Sequence, residues 1–282
     1  MDRELQDLRA FLEQGRPLVL TGAGISTDSG IPDYRGPGSK ERNPMRYQTF
    51  VKSEPDRRRY WARSMVGWPL TDRAQPNEAH RALARLERTG RIAGVLTQNV
   101  DGLHQAAGSR HVLELHGNLA CTVCLSCGLR GRRADLQERM KQANPGFDAK
   151  TDDVAPDGDV EIDDRYAEGF QVPPCPACGG TLKPDVVFFG ENVPAPRVDR
   201  AWGMLDKADT LLVLGSSLTV FSGYRFVRKA KQLGMPVAIC NDGPTRGDDD
   251  ADVRLHARLT PLLSRLLERD AATLGAPREA AG

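Results

Sequence analysis

Residues 20–36 read LTGAGISTDSGIPDYRG, and the parsing of the whole chain turns on them. An apolar run, PLVL (17–20), leads straight into Gly22 and Gly24. Glycine after a strand lets backbone N–H groups come close to a pyrophosphate. The usual dinucleotide fingerprint, G-x-G-x-x-G, would need a third glycine at position 27, where this chain has Thr27. A lone GAG signals no more than a tight turn. The continuation shifts the balance, because IPDYRG (31–36) supplies Asp33 and Arg35 within reach of the same crevice.

Upstream, Leu5, Leu8, Phe11 and Leu12 fall on one helical stripe that ends at Gly15. Downstream the pattern recurs. A helix from about Asn77 turns Ala79, Leu83 and Leu86 inward, strand IAGVLT (92–97) follows, and the polar loop QNVDGLH (98–104) comes next. Later, ADTLLVLGSSL (208–218) reads as a strand with a Gly-Ser turn, FSGYRFVRKAKQLG (221–234) as a helix, PVAICND (236–242) as a strand and RLTPLLSRLLERD (258–270) as an amphipathic helix. Such alternation predicts an α/β fold, with parallel strands joined by crossover helices. In an open parallel sheet the ligand crevice lies at the carboxyl ends of the strands, so TGAGIS, TQNVD, GSS and ND should converge there.

The 282 residues are 39% hydrophobic, with 28 Gly and 19 Pro, enough for a sizeable core. Lys and Arg number 39 against 38 Asp and Glu, a formal charge of +1 that gives no global field toward nucleic acid or anionic membrane. The opening MDRELQDLRAFLEQG carries acids and lacks the apolar centre of a signal peptide, and no run of about 18 apolar residues follows, so a cytoplasmic protein is expected.

Residues 121–180 differ in character. Cys124-x-x-Cys127-Gly128 and Cys175-x-x-Cys178-Gly179 match two zinc knuckles, whose four thiolates make a closed, structural site for one Zn2+. Cys121 competes with Cys127 through a second C-x-x-C, but CLSCG mirrors CPACGG, which favours Cys127 and leaves Cys121 a free thiol. Cys240 ends an apolar strand and reads as core. Between the knuckles, residues 151–164 (TDDVAPDGDVEIDD) hold seven acids and no base, and read as a solvated, partly mobile loop. The expected organisation is a discontinuous α/β domain, 1–120 and 181–274, a zinc-binding module, 121–180, and a disordered tail, 275–282.

Of five histidines, His116 stands apart: VLELHGN puts it after an apolar strand and just upstream of the zinc module, where a side chain would face the cleft and could serve as general base. His80, His104, His111 and His256 have no comparable setting. In QNVDGLH the amides of Gln98 and Asn99 and the carboxylate of Asp101 suit sugar hydroxyls and a carboxamide, although a loop cap would use the same residues.

Taken in order, GAGIS, IPDYRG, TQNVDGLH, ELHGN, the paired C-x-x-C, KPDVVFFGE, LGSSL and NDGPT make the chain resemble the sirtuins, NAD-dependent protein-lysine deacylases, over roughly residues 10 to 260. RYWARSMVGWP, APDGDV, FQVPPC and GYRF look most like the class II branch, which includes a mitochondrial member linked to deacylation, lipoamide removal and ADP-ribosylation. With no transit segment visible, the resemblance is to a bacterial-type homologue. It assigns NAD binding to the discontinuous α/β domain and implies a Rossmann-like, doubly wound parallel sheet with a smaller inserted zinc-ribbon domain, and a cleft where NAD meets acyl-lysine proteins or peptides.

By the same resemblance Gly22, Ala23, Gly24 and Ile25 line the phosphate and ribose path, and Asp33, Tyr34 and Arg35 sit on a mobile loop closing over the co-substrate. Gln98, Asn99 and Asp101 match the ribose and nicotinamide contacts. Gly215, Ser216, Ser217, Asn241, Asp242, Gly243 and Leu259 match the adenosine side, while Val187 and Phe188 would flank the acyl-lysine peptide. The implied reaction begins when the acyl oxygen attacks the ribose carbon as nicotinamide leaves. His116 then acts as base for the ribose hydroxyl pair, Asn99 orients ribose or water, and the products are free lysine and O-acyl-ADP-ribose. Mono-ADP-ribosyl transfer at the same site is the alternative activity. Tyr60 and Arg63, in Tyr-x-x-Arg, are similar to the pair with which desuccinylase-type sirtuins bind a carboxylated acyl chain. The same residues also read as a helix with its aromatics in the core and its arginines in solvent.

Overall fold

The computed structural model describes residues 2–275 apart from 37, 38, 41 and 152. The first helix, α1 (Asp2–Glu13), buries Leu5, Leu8, Phe11 and Leu12, the stripe its spacing predicted. It leads into β1 (Pro17–Thr21), every residue of which is buried, and then into the glycine turn. After the polar stretch come α2 (Tyr47–Lys52) and α3 (Glu54–Asp72). Next is α4 (Glu78–Arg88), where the Asn77 side chain accepts from the backbone of Ala79 and His80 and so caps the orphan donors of the first turn. The order continues through β2 (Gly94–Thr97), α5 (Leu103–Ala106) and β3 (Val112–Glu114).

The smaller lobe follows, with β4 (Gly117–Cys124), β5 (Arg130–Arg132), α6 (Arg133–Ala143) and β6 (Leu182–Val186). The chain then returns to the large sheet through α7 (Ala195–Leu205), β7 (Thr210–Leu214), α8 (Phe221–Gln232), β8 (Val237–Cys240), β9 (Val253–Leu255) and α9 (Leu259–Gly275). The expected disordered tail, apart from Gly275, lies outside the described residues. No helix among the described residues is long and apolar enough to cross a membrane.

The large sheet has six strands in the order β3-β2-β1-β7-β8-β9, and every neighbouring pair is parallel. Strand period two sorts the side chains onto two faces. Val19, Val95, Leu212 and Leu214 pack against α1, α4 and α9. Leu18, Leu20, Leu96, Leu211 and Val213 pack against α7 and α8. Helices on both faces make the sheet doubly wound, and full burial of each such aliphatic side chain is worth about 1.5–3 kcal/mol. Chain order reverses direction between β1 and β7, so the crevice beyond their carboxyl ends is the topological switch point.

The small antiparallel sheet, β5-β4-β6, builds its own core. There Leu119, Leu136, Met140 and Phe170 meet Phe50, Tyr60, Trp61 and Trp68 from α2 and α3. The lobe therefore draws on residues both before 121 and beyond 180. Arg133, 1% exposed, lies between Trp61 and Trp68 with its guanidinium 5.3 and 4.8 Å from the ring centroids, and it donates to the Ser64 carbonyl. The chain passes between lobes at His116-Gly117, where Gly117 has φ +86° and a side chain would collide with the Asp185 carbonyl.

The acidic stretch is not a free loop. Val154 and Val160 pair in an antiparallel bridge, and Val154, Ala155, Val160 and Asp159 are buried. Apolar residues between the acids anchor a tight turn, which an average over charge alone conceals.

Candidate active site

A cleft of about 920 Å3 opens at the switch point and runs between the lobes. Its floor is set by glycines. Gly22 N donates to Leu214 O and Gly24 N to Gly215 O, at 3.1 and 2.9 Å. A Cβ on Gly24 would meet Gly215 O at 2.9 Å, one on Gly22 would meet Ser216 Cβ at 2.7 Å, and one on Gly215 (φ +64°) would meet Ile25 N at 2.7 Å. The missing side chains thus let the β1 and β7 loops interlock. Gly22, Ala23 and Gly24 line the cleft; Ile25 does not, since its side chain is 1% exposed and packs in the sheet core.

At the carboxyl ends of the neighbouring strands, Gln98, Asn99, Asp101, Gly215, Ser216, Ser217, Asn241, Asp242, Gly243 and Leu259 all line the same cavity. Asn99 Nδ2 donates to Ser26 Oγ (3.0 Å), and Ser26 Oγ donates to Asp101 Oδ2 (2.7 Å). Leu103 N holds the other carboxylate oxygen at 2.9 Å. Behind Ser26 sits His80, its Nε2 at 3.5 Å, pulled down to about 4 by burial against the opposing charge of Asp101. His104 contacts it ring to ring at 4.9 Å and bonds Thr21 Oγ1 at 2.9 Å. Burial holds His104 well below the ordinary histidine range. Sequence spacing had set both histidines aside, yet they underlie the site as a neutral buried layer.

The segment Asp33–Arg35 forms the outer wall. Asp33 Oδ1 accepts from Arg35 N and Gly36 N at 3.2 and 2.6 Å, folding the stretch on itself. Tyr34 packs edge-on to Phe189 at 6.0 Å and hydrogen-bonds Asp157, which lines the cleft from the APDGDV turn. Burial raises both the Tyr34 and the Asp157 groups above their ordinary values. Opposite, Val187 N donates to His116 O at 2.7 Å and Phe188 N to Glu191 Oε2 at 2.8 Å, and both residues line the cleft. Glu191 is fixed by buried Lys183, Nζ at 3.0 Å.

His116 stands where the halves meet. Its Nδ1 is 2.9 Å from the Gln98 carbonyl, which can only accept, so Nδ1 carries the proton and Nε2 presents its lone pair. Burial pulls His116 down to about 4; the Gln98 carbonyl opposes this, while Arg197 and Arg225 add to it. A neutral imidazole whose unprotonated nitrogen faces the cleft has the chemistry a general base needs at neutral pH.

Tyr60 and Arg63 are not brought to this cleft. Tyr60 is 5% exposed within an aromatic cluster, 5.5 Å from Phe50 and 5.2 Å from Phe188. Arg63 pairs with Asp159 at 2.9 Å and donates to Val160 O. The side of α3 that bears them is turned onto the small lobe, and Tyr60 stands behind the cleft wall rather than in it.

The four cysteines Cys124, Cys127, Cys175 and Cys178 place their sulfurs within 4.8 Å of one another, and Cys121 is outside the group. The distances of Cys124 Sγ to Cys178 Sγ, 3.6 Å, and Cys127 Sγ to Cys175 Sγ, 3.8 Å, match the edge of a tetrahedron with Zn–S bonds of ~2.3 Å, which is ~3.8 Å. The donor set fits a structural zinc ion.

Residues 22–222 match the Sir2 family. The chain is 53% identical over 278 residues to "NAD-dependent protein deacetylase 1" of Streptomyces coelicolor, spanning 96% of this chain and 93% of that protein. It is 48% identical over 266 residues to "NAD-dependent protein lipoamidase sirtuin-4, mitochondrial" of Bos taurus, spanning 92% and 84%. The solved structure of a Sir2 with p53 peptide and NAD+ superposes with a TM-score of 0.78 at 32% identity, covering 95% of this chain and 99% of that one. With a switch-point cleft, a buried neutral histidine and a four-cysteine lobe in one arrangement, and with relatives at this identity along nearly the whole sequence, the chain belongs to the Sir2 family.

Proposed function

We propose that this sirtuin transfers the acyl group of an acyl-lysine side chain to ADP-ribose and releases nicotinamide. The observation that carries the reading is His116: a neutral imidazole whose unprotonated Nε2 belongs to the same cleft as the Asn99-Ser26-Asp101 cluster and the Val187-Phe188 segment. Bound NAD supplies the labile bond between ribose and nicotinamide, so the protein's work is positioning and proton management. Asn99 and Asp101, locked through Ser26, present a fixed donor and acceptor to a sugar and a carboxamide. Asp33, Tyr34 and Arg35 close the outer side, with exposed Arg35 suited to a phosphate. An extended peptide would lie against Val187 and Phe188, and Ile31, Val186 and Leu218 extend the apolar wall toward longer acyl groups. A carboxylated acyl chain would gain Arg63 only by displacing Asp159.

The test is mass spectrometry of the products from NAD and an acyl-lysine peptide, run with acetyl, succinyl, glutaryl, methylglutaryl and lipoyl forms. O-acyl-ADP-ribose with deacylated peptide is expected, and His116→Tyr should lower its rate by ~100-fold or more while the thermal transition is kept. ADP-ribose on protein instead of on the acyl group would replace this reading with mono-ADP-ribosyl transfer. A fully active His116→Tyr would remove the histidine from the chemistry.

A further inference from the structure

The base nitrogen of His116 already has a partner. Ser222 Oγ lies 2.7 Å from His116 Nε2. Because Nδ1 donates to the Gln98 carbonyl at 2.9 Å, Nε2 is the acceptor and the Ser222 hydroxyl is the donor. An imidazole nitrogen has one in-plane lone pair, so nothing else can be hydrogen-bonded to it at the same time. Both side chains line the cleft.

The contact is built from three separate pieces of chain. Ser222 belongs to the first turn of α8, and its neighbour Gly223 lets that turn abut Gln98, for a Cβ there would meet Gln98 Oε1 at 2.3 Å. Gln98 Nε2 is itself held by Ser216 Oγ at 2.7 Å. Gln98 therefore orients the imidazole through its carbonyl and abuts, through its side chain, the turn that carries Ser222. A hydroxyl on a histidine nitrogen, with the histidine's other nitrogen fixed by an acceptor, is the geometry used to move protons in nucleophile-base pairs.

We propose that Ser222 is a catalytic relay of the deacylation reaction, passing the proton of the attacking ribose hydroxyl to His116. In that step the ribose O–H bond breaks, its electron pair forms the bond to the acyl carbon of the imidate, and the C=N π pair of that carbon moves onto the lysine nitrogen. The released proton forms a new O–H bond on Ser222, the original Ser222 proton moves to Nε2, and His116 ends as an imidazolium. Charge and atoms balance without any further reagent. This inference rests on the deacylase reading above.

The test separates the two halves of the reaction. Release and recapture of nicotinamide, read by exchange of labelled nicotinamide into NAD in the presence of acyl peptide, needs no base. Formation of O-acyl-ADP-ribose does. Ser222→Val and Ser222→Thr have nearly the same shape and differ in the hydroxyl. The Val variant is expected to lose ~10–100-fold in O-acyl-ADP-ribose formation while exchange stays within about twofold, and the Thr variant to recover most of the loss. Ser222→Ala should match Val, and if Val fails to fold, Ala against wild type carries the comparison.

Three results would overturn the relay: exchange and product formation falling together, Ala as fast as or faster than wild type because the hydroxyl only masks the base, or ADP-ribose found covalently on Ser222. Wild-type protein that makes no O-acyl-ADP-ribose would overturn the deacylase reading instead.

Discussion

The setting of His116 makes a pH prediction. Its folded value of about 4 lies below the ordinary 6.5, with burial as the largest cause, so the neutral base persists well into acid. The acid limb of kcat/KM for deacylation, which reports the free enzyme, is expected far below pH 6. The sign for stability runs the same way. His116 and His80 are both held near 4, so the unfolded chain takes up more protons than the folded one between about pH 6.5 and 4. Their contribution is whole above 6.5 and is lost as pH falls to 4. Rates measured alongside circular dichroism distinguish the two effects. An acid limb at 6.5 in fully folded protein would contradict the burial argument. At this scale His116 was legible because a strand, a glycine and the zinc module bracket it in sequence. Ser222 was not, because its partner is 106 positions away and nothing local marks a serine in a helix's first turn.

Among the elements, the glycine turn has a packing task that its sequence did not suggest. Glycine after a strand reads as an approach path for phosphate, and the absent Cβ atoms of Gly22, Gly24 and Gly215 also make room for the opposing loop. Gly215→Ala combines a φ of +64° with a Cβ 2.7 Å from Ile25 N. It is expected to cost ~1–3 kcal/mol and to weaken NAD binding several-fold by calorimetry. Gly234→Ala serves as control: φ is +67° with nothing within 4 Å, so it should lower the melting temperature slightly and leave NAD affinity alone. Unchanged affinity in Gly215→Ala would show that the interlock does not shape the site. On α3, the spacing of Tyr60 and Arg63 places both on one side of a helix, and spacing says nothing about which neighbour that side meets. Apolar Trp61 and Trp68 commit the helix to the small lobe, and Asp159 takes the arginine.

For the whole molecule, the two lobes have separate cores, and the metal belongs to only one. Chelating zinc from the purified protein is expected to open the β5-β4-β6 lobe to protease around residues 121–180 while the parallel sheet keeps its far-ultraviolet signal. Deacylation should be lost with it, since α2, α3 and the Val187-Phe188 segment lean on that lobe. Activity and protease resistance both retained after metal removal would show that the thiols hold the lobe by packing alone.

Local patterns in the chain fixed the α/β class, the helices and strands that flank the cleft loops, the clustered cysteines and the setting of His116. Each of these is written in short-range signals: a period of two or 3.6, a C-x-x-C, a glycine after a strand. Tertiary structure decided which residues share the cleft. It brought Asp157 in from a stretch whose charge suggested open solvent, withdrew Ile25, Tyr60 and Arg63, layered His80 and His104 beneath the site, and set Ser222 against His116. Those outcomes depend on contacts between segments far apart in the chain, where packing and the need to pair buried polar groups choose partners that local spacing does not encode.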